Sequence, residues 1–158
     1  MPKVATCLWF GKDAEEAARL YTSLVPDSRI DGVWRSPSDN PGNKAGEVML
    51  VEFTLAGQKY QGLNGGQQVD YGHAASISVE AGDQADVDRY WNALLEGGGK
   101  EVQCGWLTDR FGVPWQVVPK VLNDAMRGDD PAAAKRAFEA MMQMVKLDVA
   151  KIEAAVRG

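Results

Sequence analysis

The chain has 158 residues and a mass of 17.1 kDa, about one average domain, which excludes most large catalytic architectures. Hydrophobic residues make up 45% and charged residues 25%, the balance of a soluble globular protein that buries one core without staples. Seventeen basic and 22 acidic residues leave a net charge of −5 with no cationic cluster, which argues against nucleic acid as a partner.

No apolar run approaches a membrane span and no signal peptide opens the chain, so no membrane partner and a cytoplasmic location are expected. Cys7 and Cys104 lie far apart with no CxxC spacing, and read as two reduced, buried thiols. His73 is the single histidine. A zinc site built from several His or Cys ligands is therefore not expected, and a Ser-His-Asp arrangement has only His73 as its base.

In chain order, the first 12 residues read as a strand through Val4, Cys7, Leu8, Trp9 and Phe10. Asp13 with Glu16 three residues on has capping-box spacing, and Ala17, Leu20, Tyr21 and Leu24 fall on one helical face before Pro26. A strand follows over 28–35. Residues 36–46, SPSDNPGNKAG, form a loop. Residues 47–55 alternate as a strand, with Met49, Val51, Phe53 and Leu55 on one face and Val48, Leu50, Glu52 and Thr54 on the other. Gly57 turns the chain into the hairpin partner QKYQGLN.

The pattern then recurs. A strand over 74–80 leads to Asp83 as N-cap with Asp86 at the third helical position. Val87, Tyr90, Trp91 and Leu94 form the stripe of a second helix. Strands follow around 101–104, 106–108 and 113–118, with a turn at 109–112. Residues 13–24 and 83–94 match at an offset of 70, and Gly57 to Gln61 resembles Gly112 to Gln116. Each half thus reads β-α-β-β-β, and the fold class is α+β. Two paired βαβββ modules, about 1–66 and 72–119, form a curved, mostly antiparallel sheet around a cleft, with helices packed on the other side.

After Pro119 the composition changes, which divides the chain into a domain over 1–119 and a C-terminal helical extension over 120–158. Lys120 to Arg127 reads as a short helix. Phe138, Met141, Met142, Val145, Val149, Ile152 and Val156 step by 3 or 4 along one amphipathic helix running from Pro131 to Arg157. Its apolar face either packs on its own sheet or makes a dimer contact.

The duplicated βαβββ plan resembles the vicinal oxygen chelate superfamily of glyoxalases, bleomycin-resistance proteins, fosfomycin-resistance enzymes and extradiol dioxygenases. More narrowly, CLWFGKDAEEAARLYTSLVPDSRI and SISVEAGDQADVDRYWNALLEGGGKEVQCGWLTDRFGVPWQVVP are similar to the PhnB-like group, often named 3-demethylubiquinone-9 3-methyltransferase. The similarity runs from about residue 4 to 157. The name fits poorly, because a methyltransferase using S-adenosylmethionine usually needs a doubly wound sheet with a glycine-rich strand-to-helix turn. Gly65-Gly66 and Gly97 to Gly99 do not sit in such a turn.

The resemblance implies a metal held by residues of the first and last strand of each half. Carried onto this chain, those positions are Thr6, Gln61, Ser76 and Gln116. All four are neutral, and divalent metals in such open sites need imidazole or carboxylate donors, so neither a metal nor another cofactor is expected. With those positions facing inward, Leu8, Ser78, Lys59, Leu63, Pro114 and Val118 join them, while Cys7, Trp9, Ile77, Val79, Tyr60, Trp115 and Val117 face the helices. Trp34, Trp106 and Arg110 fall at the rim.

Glu52 is a catalytic candidate, as a base in a semi-apolar pocket with a raised pKa, or else a solvated or ion-paired strand residue. His73 is a second candidate, or else lies at a strand entrance. The ligand-binding cleft is thus expected from Thr6, Leu8, Glu52, Gln61, Ser76, Ser78, Trp106, Arg110 and Gln116, a set suited to a small organic molecule. The expected function is metal-free binding or sequestration. A metal-dependent glyoxalase- or dioxygenase-type enzyme and a structural protein with an idle cleft are the alternatives. The resemblance further implies a homodimer.

Overall fold

A computed structural model describes residues 3–158. The chain divides into two compact units, one ending at Asp70 and one running from Tyr71 to Gly158. The first contains β1 (Thr6–Phe10), α1 (Ala14–Leu24), β2 (Arg29–Arg35), β3 (Val48–Leu55) and β4 (Gln58–Asn64), with sheet order β1-β4-β3-β2. The second begins with β5 (Ile77–Ala81), α2 (Gln84–Leu95), β6 (Lys100–Glu101), β7 (Trp106–Thr108) and β8 (Pro114–Pro119), in the order β5-β8-β7-β6. In each sheet the first and last strands pair in parallel and the other pairs are antiparallel. The repeat seen in the sequence is therefore a repeat of the fold.

Each helix covers one face of its own sheet. Ala14, Ala17 and Ala18 are fully buried, so α1 approaches the sheet closely, and Tyr21 packs on Phe53 with ring centroids 6.2 Å apart. The start of α1 is not capped as expected. Asp13 makes no side-chain cap bond; instead the Ala14 N–H donates to the buried Asn64 Oδ1 at 2.9 Å. An amide from the far end of β4 thus satisfies the first of the helix's free N–H groups, one that an Asp13 cap would not have reached. In the second unit Asp83 does cap α2, accepting from Asp86 N at 2.9 Å. Val87, Tyr90, Trp91 and Leu94 are buried, as are Leu107, Trp115 and Val117 of the sheet.

The extension contains three helices: α3 (Lys120–Arg127), α4 (Pro131–Met141) and α5 (Val149–Arg157). The single long helix expected over 131–157 is therefore broken. The Met144 and Val145 carbonyls accept from the Cys104 and Gly105 N–H groups, both at 2.8 Å, which holds 142–148 as a turn against the start of β7. Asp148 then caps a new helix, accepting from Lys151 N at 3.0 Å. Leu122, Ala137, Leu147 and Ile152 are buried together, with Val118 of β8 and Met141, Met144 and Val156 packed against them. Part of the apolar tail face thus packs within its own unit, while Phe138 and Met142 of the same stripe stay exposed. Among the described residues, no helix is long and apolar enough to cross a membrane.

Candidate functional site

The sheet face opposite each helix carries the chemistry. In the first unit, strand register fixes that face. Leu8 of β1 pairs with Gly62 of β4, and a side chain at Gly62 would lie 3.1 Å from Ala14 Cβ and 3.3 Å from the Phe10 ring. Thr6, Leu8 and Phe10 therefore point to the helix side, and Cys7 and Trp9 to the open side. This reverses the expected facing of β1: it is Cys7 that stands in line with Gln61.

Three rows cross the open face. Trp34, Leu50, Leu63 and Trp9 form an apolar row. Gly32, Glu52, Gln61 and Cys7 form the next. Beyond them Thr54 and Lys59 join Asp31 in an ionic cluster: Thr54 Oγ1 donates to Asp31 Oδ2 at 2.6 Å, Lys59 Nζ to Thr54 Oγ1 at 2.8 Å, and Arg29 Nε lies 2.8 Å from Asp31 Oδ1. Burial alone would raise the Asp31 pKa, but hydrogen bonds from Thr54 and Lys59 and the charges of Arg29 and Lys59 together bring it below the usual carboxylate value. That contribution to stability is present above the ordinary carboxylate range and is lost as pH falls through the folded pKa.

Glu52 makes no such pairing. Its Oε1 is buried with no hydrogen-bond partner among the described residues. Neither cysteine is buried as expected: Cys7 is exposed and Cys104 half-buried. Desolvation nevertheless raises the Cys7 pKa, so its thiol stays protonated at neutral pH.

In the second unit the open face carries Ser76, Ser78, Trp106, Gln116 and Val118, as the alternation predicts. Gln116 Nε2 donates to Ser76 Oγ at 2.9 Å. The C-terminal helices flank this face and leave an open-sided pocket of about 280 Å³ between them and the sheet, with Ser78, Met126 and Phe138 exposed in its wall. Its floor is Ser78, Trp106, Gln116 and Val118. Leu122, Asn123 and Met126 of α3, Phe138 and Met141 of α4, and Cys104 and Leu147 complete it.

The structure thus brings three expected cleft residues, Ser78, Trp106 and Gln116, into one pocket. Ser76 supports it through Gln116. His73 is exposed at the strand entrance, its ring edge-on to Trp106 with centroids 6.0 Å apart. Arg110 lies over Phe111 at 4.4 Å and does not line the cavity. The residues of the helical wall were not foreseen as site residues; their apolar stripe was visible, but not the surface that it flanks. A wider depression at the start of α2 is bordered by Gly82, Asp83 and Arg89, and the helix donor there is already taken by Asp83.

The donor sets do not fit the superfamily's metal. In the first unit a protonated thiol and an amide stand in line, with one carboxylate beside them. In the second, Gln116 turns its NH₂ toward Ser76, and the other donors are hydroxyls. Among the described residues, no three His, Cys, Asp or Glu side chains converge. Dehydrating a divalent ion needs more anionic or imidazole donors than either set offers.

Comparison with known proteins gives the lineage. The family described as 3-demethylubiquinone-9 3-methyltransferase matches residues 2–118. The match stops at Val118, short of the expected extent, and leaves the three C-terminal helices outside it. A Bacillus cereus PhnB protein named for the same methyltransferase is 30% identical, with a TM-score of 0.65 over 75% of this chain and 99% of its own. Protein PA1353 of Pseudomonas aeruginosa is 21% identical, with a TM-score of 0.60 over 75% and 98%. The fosfomycin resistance protein FosX of Mesorhizobium loti is 17% identical, with a TM-score of 0.49 over 75% and 92%. No curated protein matches the chain.

Proposed function

The chain belongs to the family described as 3-demethylubiquinone-9 3-methyltransferase, and on that premise we propose that it is a vicinal-oxygen-chelate-type protein that binds a small planar organic molecule without a metal ion. The observation that carries this reading is the open-sided pocket of the second unit. Its volume of about 280 Å³ lies just under the usual range for drug-sized ligands and suits a one- or two-ring compound. Trp106 offers a stacking face, and its indole N–H has no acceptor among the described residues. Gln116 spends its NH₂ on Ser76, which leaves the amide oxygen as acceptor. One donor and one acceptor over an apolar bed of Leu122, Met126, Phe138 and Met141 orient a heteroaromatic ring.

Neither alternative chemistry finds support in the residues. Metal-assisted glyoxalase or dioxygenase chemistry lacks its donor set. Methyl transfer lacks the doubly wound sheet, and the turns into α1 and α2 each hold one glycine, Gly11 and Gly82, rather than a glycine-rich cradle.

Ligand-observed NMR with a panel of one- and two-ring heteroaromatic compounds tests the reading. Binders recovered unchanged are expected. Trp106→Leu and Gln116→Leu are each expected to weaken them about tenfold, the scale of one stack or one hydrogen bond. Binding that survives both substitutions, or no binder at all, overturns the assignment. Titration of the purified protein with Mn²⁺, Ni²⁺ and Zn²⁺ by calorimetry is expected to give no saturable heat at micromolar concentration; one-site micromolar binding would revive the metal-dependent reading. The homodimer implied by the superfamily is read on the same samples by light scattering, where a single monomeric species would set it aside.

A further inference from the structure

We propose that the open face of the first sheet binds an organic ammonium ion, with Glu52 as its counter-ion and Trp34 as its aromatic platform. The proposal is independent of the open-sided pocket, which belongs to the other unit.

The first observation is the orphaned oxygen. Glu52 Oε1 is buried and has no hydrogen-bond partner among the described residues. A buried carboxylate oxygen without a donor is costly, and proteins rarely retain one without a use. The nearest cation on this face does not relieve it. Lys59 directs its ammonium to Thr54 at 2.8 Å and Asp31 at 3.4 Å, and Arg29 goes to Asp31 as well. Beside an ion cluster that already satisfies Asp31, Glu52 thus keeps one oxygen without a donor among the described residues, and since that oxygen is buried, a ligand engages it as the carboxylate turns outward.

The second observation is what surrounds it. Glu52 sits in register between Gly32 and Gln61. Gly32 has no side chain, and the Trp34 indole folds back over it: a side chain at Gly32 would come within 3.2 Å of Trp34 Cζ2 and 3.4 Å of Nε1. The ring consequently lies on the strand beside Glu52, at the diagonal position from which an aromatic reaches its cross-strand neighbour. It remains 53% exposed, so a face is open to a ligand. Leu50 and Leu63 continue the apolar row from Trp34 toward Trp9.

These features select a ligand class. An ammonium group donates N–H to the orphaned oxygen and is attracted by both the carboxylate and the indole face. Its carbon skeleton rests on the leucine row. A divalent metal is disfavoured, since one carboxylate and one amide offer too few oxygen ligands. A neutral alcohol could donate a hydrogen bond but would gain nothing from the charge. An anion would be repelled. The occupant is therefore an amine with an apolar or aromatic arm, bound as its cation.

Calorimetry at neutral pH with benzylamine, benzyl alcohol and benzoate tests this. Benzylamine is expected to bind saturably, benzyl alcohol at least about tenfold more weakly, and benzoate not at all. Glu52→Gln keeps the shape and removes the charge, and is expected to bring benzylamine down to the level of the alcohol. Trp34→Leu, at an exposed position where folding is not at risk, is expected to weaken benzylamine about three- to tenfold. Equal affinity for benzylamine and benzyl alcohol overturns the proposal. So does a Glu52→Gln protein of unchanged thermal stability that retains the cation preference, or the absence of saturable benzylamine binding in the wild-type protein.

Discussion

Asp109→Ala is expected to destabilise the second unit by about 3–5 kcal/mol, a large share of the stability of an ordinary domain. The residue is 2% exposed, and its carboxylate accepts from two backbone N–H groups and an indole among its partners. Oδ1 accepts from the Phe111 and Val113 N–H groups at 2.9 and 3.0 Å, and Oδ2 from the Trp115 indole at 3.0 Å. Removing the side chain strands two backbone donors and one indole in a buried turn, and a buried unpaired donor costs about 1–3 kcal/mol. Asp109→Asn restores an acceptor for the backbone pair but turns an NH₂ toward the Trp115 indole, so roughly half the loss is expected. Urea unfolding followed by circular dichroism measures both. A loss below about 1 kcal/mol for the alanine variant would mean that water replaces the carboxylate at this turn. The effect reaches the cavity, because the turn joins β7, which carries Trp106, to β8, which carries Gln116.

Leu147→Asp is expected to undock the tail from the sheet and abolish binding in the open-sided pocket. Leu147 is 1% exposed, belongs to the buried cluster with Leu122, Ala137 and Ile152, and also lines the cavity. An unpaired carboxylate there costs several kcal/mol, more than the local docking of three short helices can absorb. Hydrogen exchange supplies the site-specific readout. The Cys104 and Gly105 amides donate to Met144 and Val145 carbonyls, so their exchange is expected to accelerate on the order of 100-fold or more when the tail lifts. Amides of the β3–β4 ladder, which belong to the other unit, are expected to keep their rates. Uniform acceleration throughout would instead indicate that the tail is required for folding of the whole chain.

The repeat made the module plan legible, because two stretches of the same pattern cannot both be chance helices and strands. Facing was legible only where alternation was clean. Along β5 and the residue before it, Ser76, Ser78 and Glu80 alternate with Ile77 and Val79, and the open face follows from that alternation. In β1, Thr6 to Phe10 is apolar on both sides, so alternation carried no parity and the strand was read one residue out of phase. Asn64 as the cap of α1 could not be seen at all, since it depends on a partner 50 residues away. The break in the tail had a local signal, Asp148 ahead of Val149, which the continuous stripe of Met and Val outweighed. The exposed Trp34 and the unpaired oxygen of Glu52 are properties of packing and have no sequence signature beyond their shared face.

The helical wall of the pocket lies past residue 118, where the family's common sequence ends. Its floor lies inside the matched segment and its upper wall outside it. If the proposed binding holds, Ser76 and Gln116 of the matched segment orient the guest, and the helices beyond it set the shape that a guest must fit. On that reading, likeness over residues 2–118 does not by itself fix which molecule the pocket takes. A ligand identified for a member without this appendage should be transferred here only after the Phe138, Met141 and Leu147 wall has been compared.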